Sequence, residues 1–331
     1  MARRLLEGRL DWADNLVHRY YTCTQCGACD ENCYEETGRH PLKVIQEVQK
    51  ELVNRGIGPH PALRHRRYAQ FFEGYEEKLK KATQQISSKA TLMYFVGCPL
   101  ACYGKKVIES TKNILKAAGD GFVIADQQWC CGYPLVDTGQ VEQGKRVAEA
   151  NIAAIRSTNV DKVIFSCPIC YRIFRYEYPE ILGTDLGFEV VHTTEQFLDG
   201  ITKGRLKPKV NISKKVVYHD PCNLGRKGPK IYDQPREILN HIPGIELVEL
   251  DGRMGNAWCC GAGGMVKRTH PDFAIWSATQ RLRELEEAGI NTLVTACPEC
   301  ESNFANAAKD AGMTTEVLDT NEILADSLGL R

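Results

Sequence analysis

Trp258-Cys259-Cys260-Gly261-Ala262-Gly263-Gly264-Met265, echoed earlier by Trp129-Cys130-Cys131-Gly132-Tyr133-Pro134, sets the reading of this chain. Cysteines on adjacent residues have Cα atoms about 3.8 Å apart, so both sulfurs can face one site. Their joined backbone makes it hard for both to bind a single tetrahedral ion without strain, and easier to reach different metal atoms of one cluster. The glycine after each pair lets the backbone take a positive φ or approach an inorganic group closely. One isolated pair would be read as readily as a strained vicinal disulfide or two buried thiols. A second copy makes that account weak.

Outward from each pair the chain alternates short apolar runs with amphipathic helices. Before Cys130, LMYFVG ends at Cys98, VIESTKNILKAAG reads as a helix stopped by Gly119, and FVIA leads to the pair; after it come the helical VEQGKRVAEANIAAIRS, the strand KVIFS running into Cys167-Pro168-Ile169-Cys170, and FEVVHTTEQFL. After the turn-rich GRLKPKVNISKK the order returns. VVYHDP leads to Cys222, a helix around IYDQPREILNHI follows, IELVEL precedes Cys259, PDFAIWSATQRLRELEEAG is a long helix, NTLVTA ends at Cys297-Pro298-Glu299-Cys300, and EVLDTNEILADSL closes the chain. This is an internal duplication, and strand–helix alternation of this kind predicts mostly parallel sheets covered on both faces.

Cysteine spacing makes the duplication quantitative. In the first copy 31 residues separate Cys98 from Cys130 and 35 separate Cys131 from Cys167; in the second both gaps are 36. Ten cysteines thus form two five-membered sets, each group placed after a predicted strand. In open α/β sheets, ligands gather beyond the carboxyl ends of the strands, so three strand ends can converge their thiols on one point. Pro168 and Pro298 sit where a helix would begin, which places the outer thiols near helix N-termini, where thiolate is favoured.

A third motif precedes both copies. Cys23-Thr-Gln-Cys26-Gly-Ala-Cys29-Asp-Glu-Asn-Cys33 is the C-x2-C-x2-C-x3-C run of a bacterial ferredoxin, suited to a [4Fe-4S] cluster; a zinc knuckle is the competing reading. Tyr34 stands where proline usually follows the fourth cysteine, and no second run precedes Cys98. The fourth ligand is therefore Cys33, the preferred choice, or Cys102, the thiol left over from the later sets. Between this run and the first copy, LKVIQEVQKELVNRG reads as a helix ended by Gly56, Arg64 to Arg67 form a basic cluster, and Lys80 to Ala90 form a polar linker. The domain boundaries expected are 1–90 for the helical cluster-binding segment and linker, 91–207 for the first copy and 208–331 for the second.

Composition bounds the function. Lys+Arg and Asp+Glu balance at 42 each among 331 residues, which provides no global field for nucleic acid. No stretch approaches the roughly 20 apolar residues of a membrane span, and no signal-peptide core is evident, so the expectation is a soluble, cytoplasmic protein. Fifteen cysteines without an export signal point to metal or redox chemistry in a reducing compartment. A four-thiolate zinc protein would pair two C-x-x-C elements, but here they lie far apart and each has its own Cys-Cys partner. No strand is followed by a GxGxxG fingerprint; the chain is expected to bind no flavin or NAD and to need a redox partner.

The paired cysteine sets resemble the CCG domains of heterodisulfide reductase, in its B-type and D-type subunits, and also those of the iron–sulfur subunits of glycolate oxidase, lactate utilisation and anaerobic glycerol-3-phosphate dehydrogenase. The likeness covers Thr91 to the C-terminus, and the ferredoxin run before it fits the fused D type, although a single run departs from the pair expected in the C and D types. The fold class implied is α/β: two duplicated CCG domains with mostly parallel sheets, preceded by a small helical ferredoxin-like segment. The resemblance implies one or two noncubane [4Fe-4S] clusters, the first held by Cys98, Cys130, Cys131, Cys167 and Cys170, the second by Cys222, Cys259, Cys260, Cys297 and Cys300. It also implies a hetero-oligomeric redox complex with a flavoprotein or another iron–sulfur subunit. The expected function is reduction of a disulfide with electrons from the N-terminal cluster; the alternative is a non-catalytic electron-transfer subunit of a flavin-dependent dehydrogenase.

Two finer expectations concern the second set. His219, three residues before Cys222, could donate a hydrogen bond or a proton to a substrate sulfur, or fix its loop; Arg226 and Lys227 could attract an anionic substrate or offset the charge of thiolates. Gly263 and Gly264 suggest open backbone. Substrate is therefore expected at Cys259 and Cys260, and electron relay at Cys130 and Cys131.

Overall fold

The computed structural model describes residues 1–63, 90–124 and 130–331. The basic cluster Arg64–Arg67, all of the linker but Ala90, and Trp129 lie outside the described residues.

The apolar runs form two four-stranded parallel sheets. The first contains β1 (Leu92–Phe95), β2 (Phe122–Val123), β3 (Lys162–Phe165) and β4 (Glu189–His192), in the order β2-β1-β3-β4. The second contains β5 (Lys214–His219), β6 (Ile245–Val248), β7 (Thr292–Thr295) and β8 (Glu316–Asp319), in the matching order β6-β5-β7-β8. Registers are regular, with Met93 opposite Val163 and Val217 opposite Leu293. Alternate residues of β1 enter different cores: Met93 and Phe95 pack on one face, Leu92 and Tyr94 on the other. Both faces are buried, as a parallel sheet requires.

The expected helices form with small boundary shifts. Pro41–Asn54, Lys105–Ala117, Val141–Arg156, Asp233–Asn240 and Pro271–Glu287 are all helical. Gly56 and Gly119, past two of their ends, have φ of +73° and +77°, a conformation in which glycine has no Cβ penalty. Sequence reasoning missed the short helices Cys98–Tyr103 and Asn15–Tyr20. At six residues each, neither fills the window over which helical periodicity can be read.

The two copies embrace reciprocally. The helix after the first strand of copy one, Lys105–Ala117, packs on the last helix of copy two, Thr320–Leu328; the last helix of copy one, Thr193–Thr202, packs on Asp233–Asn240 of copy two. Asn321 stitches the seam, its amide nitrogen 3.1 Å from Thr111 Oγ1 and 3.3 Å from Thr193 Oγ1.

The N-terminal segment has a core of its own around Leu16, Val17, Tyr21, Leu52 and Leu63, and docks on both copies. Tyr21 donates its hydroxyl to the Thr138 carbonyl at 2.7 Å, and the buried Gln25, at φ +52°, donates to Gln49 at 2.9 Å and to the Asp137 carbonyl. On the other side Arg226 donates to the Cys26 carbonyl at 3.0 Å. Among the described residues no helix is long and apolar enough to cross a membrane.

Candidate metal centres

In each sheet the order reverses direction between the first and third strands, and this is the crevice where α/β sheets place ligands. Cys98 follows β1 and Cys167 follows β3; Cys222 follows β5 and Cys297 follows β7. Pro168 and Pro298 occupy the first helical positions, and Cys167 and Cys297 are the residues just before them. Gly132 and Gly261, each after its cysteine pair, have φ of +75° and +85°. A Cβ on Gly261 would stand 2.4 Å from the Ala274 carbonyl oxygen, so the turn out of the pair depends on glycine.

Thiols from separate elements meet in each set, and all 15 cysteines are free of disulfides. In the first set Cys98 Sγ lies 3.4 Å from Cys130 Sγ, and Cys131 meets both Cys130 and Cys170. In the second, Cys300 Sγ lies 3.2 Å from Cys260 Sγ. Cys98, Cys130, Cys131, Cys167 and Cys170 are buried, as are Cys260, Cys297 and Cys300. Thiol–thiol hydrogen bonds and burial hold Cys98, Cys131 and Cys170 well above the ordinary thiol range, while Cys130, which accepts from two neighbours, falls well below it. The second set repeats the pattern: Cys260 is driven down, Cys300 up, and burial takes Cys222 and Cys297 to about 11. Five such groups cannot all be thiolates without a multivalent positive centre among them, so the donor sets fit iron–sulfur clusters.

The ferredoxin-type loop lies against the second set. The Cys26 thiol meets that of Cys259, and this contact, followed by burial, raises Cys26. Cys259 Sγ also lies 3.3 Å from Thr24 Oγ1. Cys23, Cys26 and Cys29 are close enough to perturb one another electrostatically. Cys33 lies one helical turn after Cys29, on the same side of Ala28–Thr37, whereas Cys102 is half-buried on the helix that begins with Cys98.

Gly263 and Gly264 do not open the second set. A Cβ on Gly263 would stand 2.3 Å from the Thr24 carbonyl oxygen, and one on Gly264 2.3 Å from that of Cys23. Their bare backbone is where the N-terminal loop presses against the second copy. Gly264→Ala is expected to lower stability by about 1–3 kcal/mol, seen as a lower urea midpoint for loss of the visible iron–sulfur absorbance; an unchanged midpoint would mean that the loop does not rest there.

Arg226 and Lys227 are committed to structure. Arg226 donates to the carbonyls of Cys26, Gly255 and Ala257. The Lys227 side chain is nearly covered and lies 3.0 Å from Asp137, and that carboxylate also takes Arg172 at 2.8 Å. Their positive charges favour the thiolates of Cys23, Cys26 and Cys222, so of the two sequence readings the charge-offsetting one has support. Asp137 and Arg172 were not singled out from the sequence, because nothing local marks a partner 90 residues away.

His219 is buried against Phe304. One ring nitrogen lies within 4.8 Å of the Cys260 and Cys300 sulfurs. Burial takes its pKa down to about 3, so the ring is neutral at ordinary pH and suited to donate a hydrogen bond to sulfur rather than to act as an imidazolium acid. Next to it Asp220 forms a bidentate pair with Arg236 at 2.7 and 2.8 Å and accepts from the Met254 amide, fixing the loop that leads to Cys259.

The first set opens on a cavity of about 320 Å³ that all five of its cysteines line. Its walls include Tyr103, Tyr133 and Met265, and Lys267, Arg268 and Glu299 bring charge to it. Tyr103 donates to Glu299 at 2.5 Å, so the helix of Cys98 is tied to the C-P-E-C turn of the second set.

The sequence pattern of the cysteine-rich CCG domain matches residues 92–175 and 216–305. The chain belongs to the CCG family. This CCG protein is 34% identical over 320 residues to the D-type subunit of the dihydromethanophenazine:CoB–CoM heterodisulfide reductase of Methanosarcina acetivorans, over 93% of this chain and 78% of the relative. It is 28% identical over 311 residues to the B-type subunit of the fumarate reductase (CoM/CoB) of Methanothermobacter marburgensis, spanning 92% of this chain and 60% of that one. Among solved structures, a hypothetical protein from Helicobacter pylori superposes with a TM-score of 0.57 at 13% identity, over 89% of this chain and 61% of that one. At that identity the likeness concerns the fold alone.

Proposed function

We propose that this CCG protein is an iron–sulfur subunit that takes electrons from a protein partner at the Cys23–Cys33 loop and delivers them to a disulfide held in the cavity of the first cysteine set. Family membership and the likeness to redox subunits support the electron-transfer role. The observation that carries the direction is the contact of Cys26 with Cys259 at one end and the cavity over Cys98, Cys130, Cys131, Cys167 and Cys170 at the other. This reverses the division expected from sequence, in which substrate met Cys259 and Cys260.

When bound, the clusters supply the one-electron steps; disulfide reduction consumes two electrons and two protons and releases two thiols. The protein's own part is positioning. Cys23, Cys26, Cys29 and Cys33 would hold the entry cluster, the set headed by Cys222 the second, and the set headed by Cys98 the third. His219, Arg226 and Lys227 stabilise sulfur charge in the second set and in the entry loop. Lys267, whose ammonium lies 5.7 Å from the Tyr103 ring centre and 2.9 Å from Ser302 Oγ, favours a disulfide that carries a negative group.

With reduced viologen as donor, Lys267→Met is expected to raise KM for an anionic disulfide about 2- to 5-fold, the worth of about one partly exposed charge contact, and to leave KM for a neutral disulfide unchanged. No turnover of any disulfide by the anaerobic, iron-loaded protein, together with rapid exchange with a flavoprotein, would assign it instead the role of a pure electron carrier.

A further inference from the structure

Three histidines that belong to neither cysteine set meet at the seam between the N-terminal segment and the second copy. His18 lies on the helix Asn15–Tyr20, His60 just before the turn Pro61–Leu63, and His270 just before the helix Pro271–Glu287. Their ring centres are 5.2, 5.6 and 5.7 Å apart, and one nitrogen from each falls within 4.8 Å of the other two. Three imidazoles have little reason to crowd together in water, since protonation of one is resisted by the others. Burial, and then His18, indeed lowers the pKa of His270, which keeps its ring in the neutral form that ligates metals.

We propose that His18, His60 and His270 form a binding site for a divalent ion of the zinc class, with a fourth position left for water. Zinc–imidazole bonds are about 2.0–2.1 Å long, so tetrahedral nitrogens sit about 3.4 Å apart, and the three must close in by an ångström or so. His18 is exposed and can swing. Two of the contacts at the rings are long: His60 Nδ1 accepts from the Ala62 amide at 3.3 Å, and His270 Nε2 lies 3.3 Å from Thr22 Oγ1. Thr269 Oγ1, 2.9 Å from His270 Nδ1, can accept a hydrogen bond from that ring N–H and orient the ring.

The position gives the ion a purpose. His18 lies five residues before Cys23, His270 six residues after Gly264, and Thr269 also donates to the Tyr21 carbonyl at 3.2 Å. An ion here clasps together the two stretches of chain whose contact brings Cys26 to Cys259. The clasp stands independently of the substrate.

The test uses the full-length, anaerobic, iron-loaded protein, given zinc and then washed by gel filtration. It is expected to retain about one zinc per chain, with an X-ray absorption edge showing a nitrogen/oxygen shell near about 2.0 Å and imidazole scattering. His18→Gln and His270→Gln are each expected to retain less than about a tenth as much while iron and sulfide content stay at wild type. The inference is overturned by absence of retained zinc in the wild type, by zinc retention at the wild-type level in either variant, or by a sulfur shell near about 2.3 Å, which would place the ion in a cysteine set.

Discussion

Cys131→Ser is expected to abolish disulfide reduction, by about 10³-fold or more, with either viologen or a protein donor. Cys26→Ser is expected to lose the reaction only when a protein donor is used. Cys131 is buried, meets Cys130 and Cys170, and lines the cavity, so removing its sulfur removes one member of a set that works as a unit; such losses are large and not additive. Cys26 belongs to the loop over Cys259 and is absent from the cavity lining, and a small diffusing donor can bypass it. Rates with both donors, together with iron counts, separate the two variants. Equal loss of viologen-driven turnover in Cys26→Ser, with its remaining iron intact, would show that the entry loop and the substrate site are not at opposite ends.

The second large effect concerns stability. Asp137→Asn is expected to destabilise the protein by about 3–5 kcal/mol, the cost of leaving a buried charge without its partner. The Asp137, Arg172 and Lys227 side chains are 1%, 3% and 6% exposed, and Arg172 further donates to Asn223 at 2.7 Å. The network joins the helix after the first Cys-Cys-Gly, the helix after the first C-P-x-C and the loop after Cys222. Burial alone would raise the Asp137 carboxyl, but Arg172 and Lys227 hold it below its ordinary value. Its stabilisation is therefore complete above the unfolded carboxyl pKa of about 3.9 and is lost as pH falls through the lower folded value. Urea unfolding at neutral pH checks the prediction, and a change under about 1 kcal/mol would remove the network from the account of how the two copies hold together.

Much of this was legible in the sequence because it is local or periodic. The strand before each cysteine group, the proline after Cys167 and Cys297, and the glycine after each pair all act within a few residues, and duplication wrote the pattern twice. What could not be read was which surface meets which. Gly263 and Gly264 suggested open backbone, and only the fold shows that the carbonyls of Thr24 and Cys23 press against them instead. Arg226 reaches Cys26 across 200 residues and Gln25 reaches Asp137 across 112, so neither leaves a local signature. For His219 the sequence left open a hydrogen bond or proton to a substrate sulfur and a loop-fixing role, because burial is invisible in a sequence, and burial is what keeps the ring neutral. Lys267 and Glu299 carried no motif of their own and acquire meaning only as cavity walls.

The direction of the molecule is the central claim, and an anaerobic crystal soaked with an anionic disulfide tests it most directly. The account predicts density for the disulfide in the cavity between Tyr103, Lys267 and the five cysteines headed by Cys98. Density beside Cys259 and Cys260, with the Cys23–Thr24 loop displaced and the cavity empty, would contradict it.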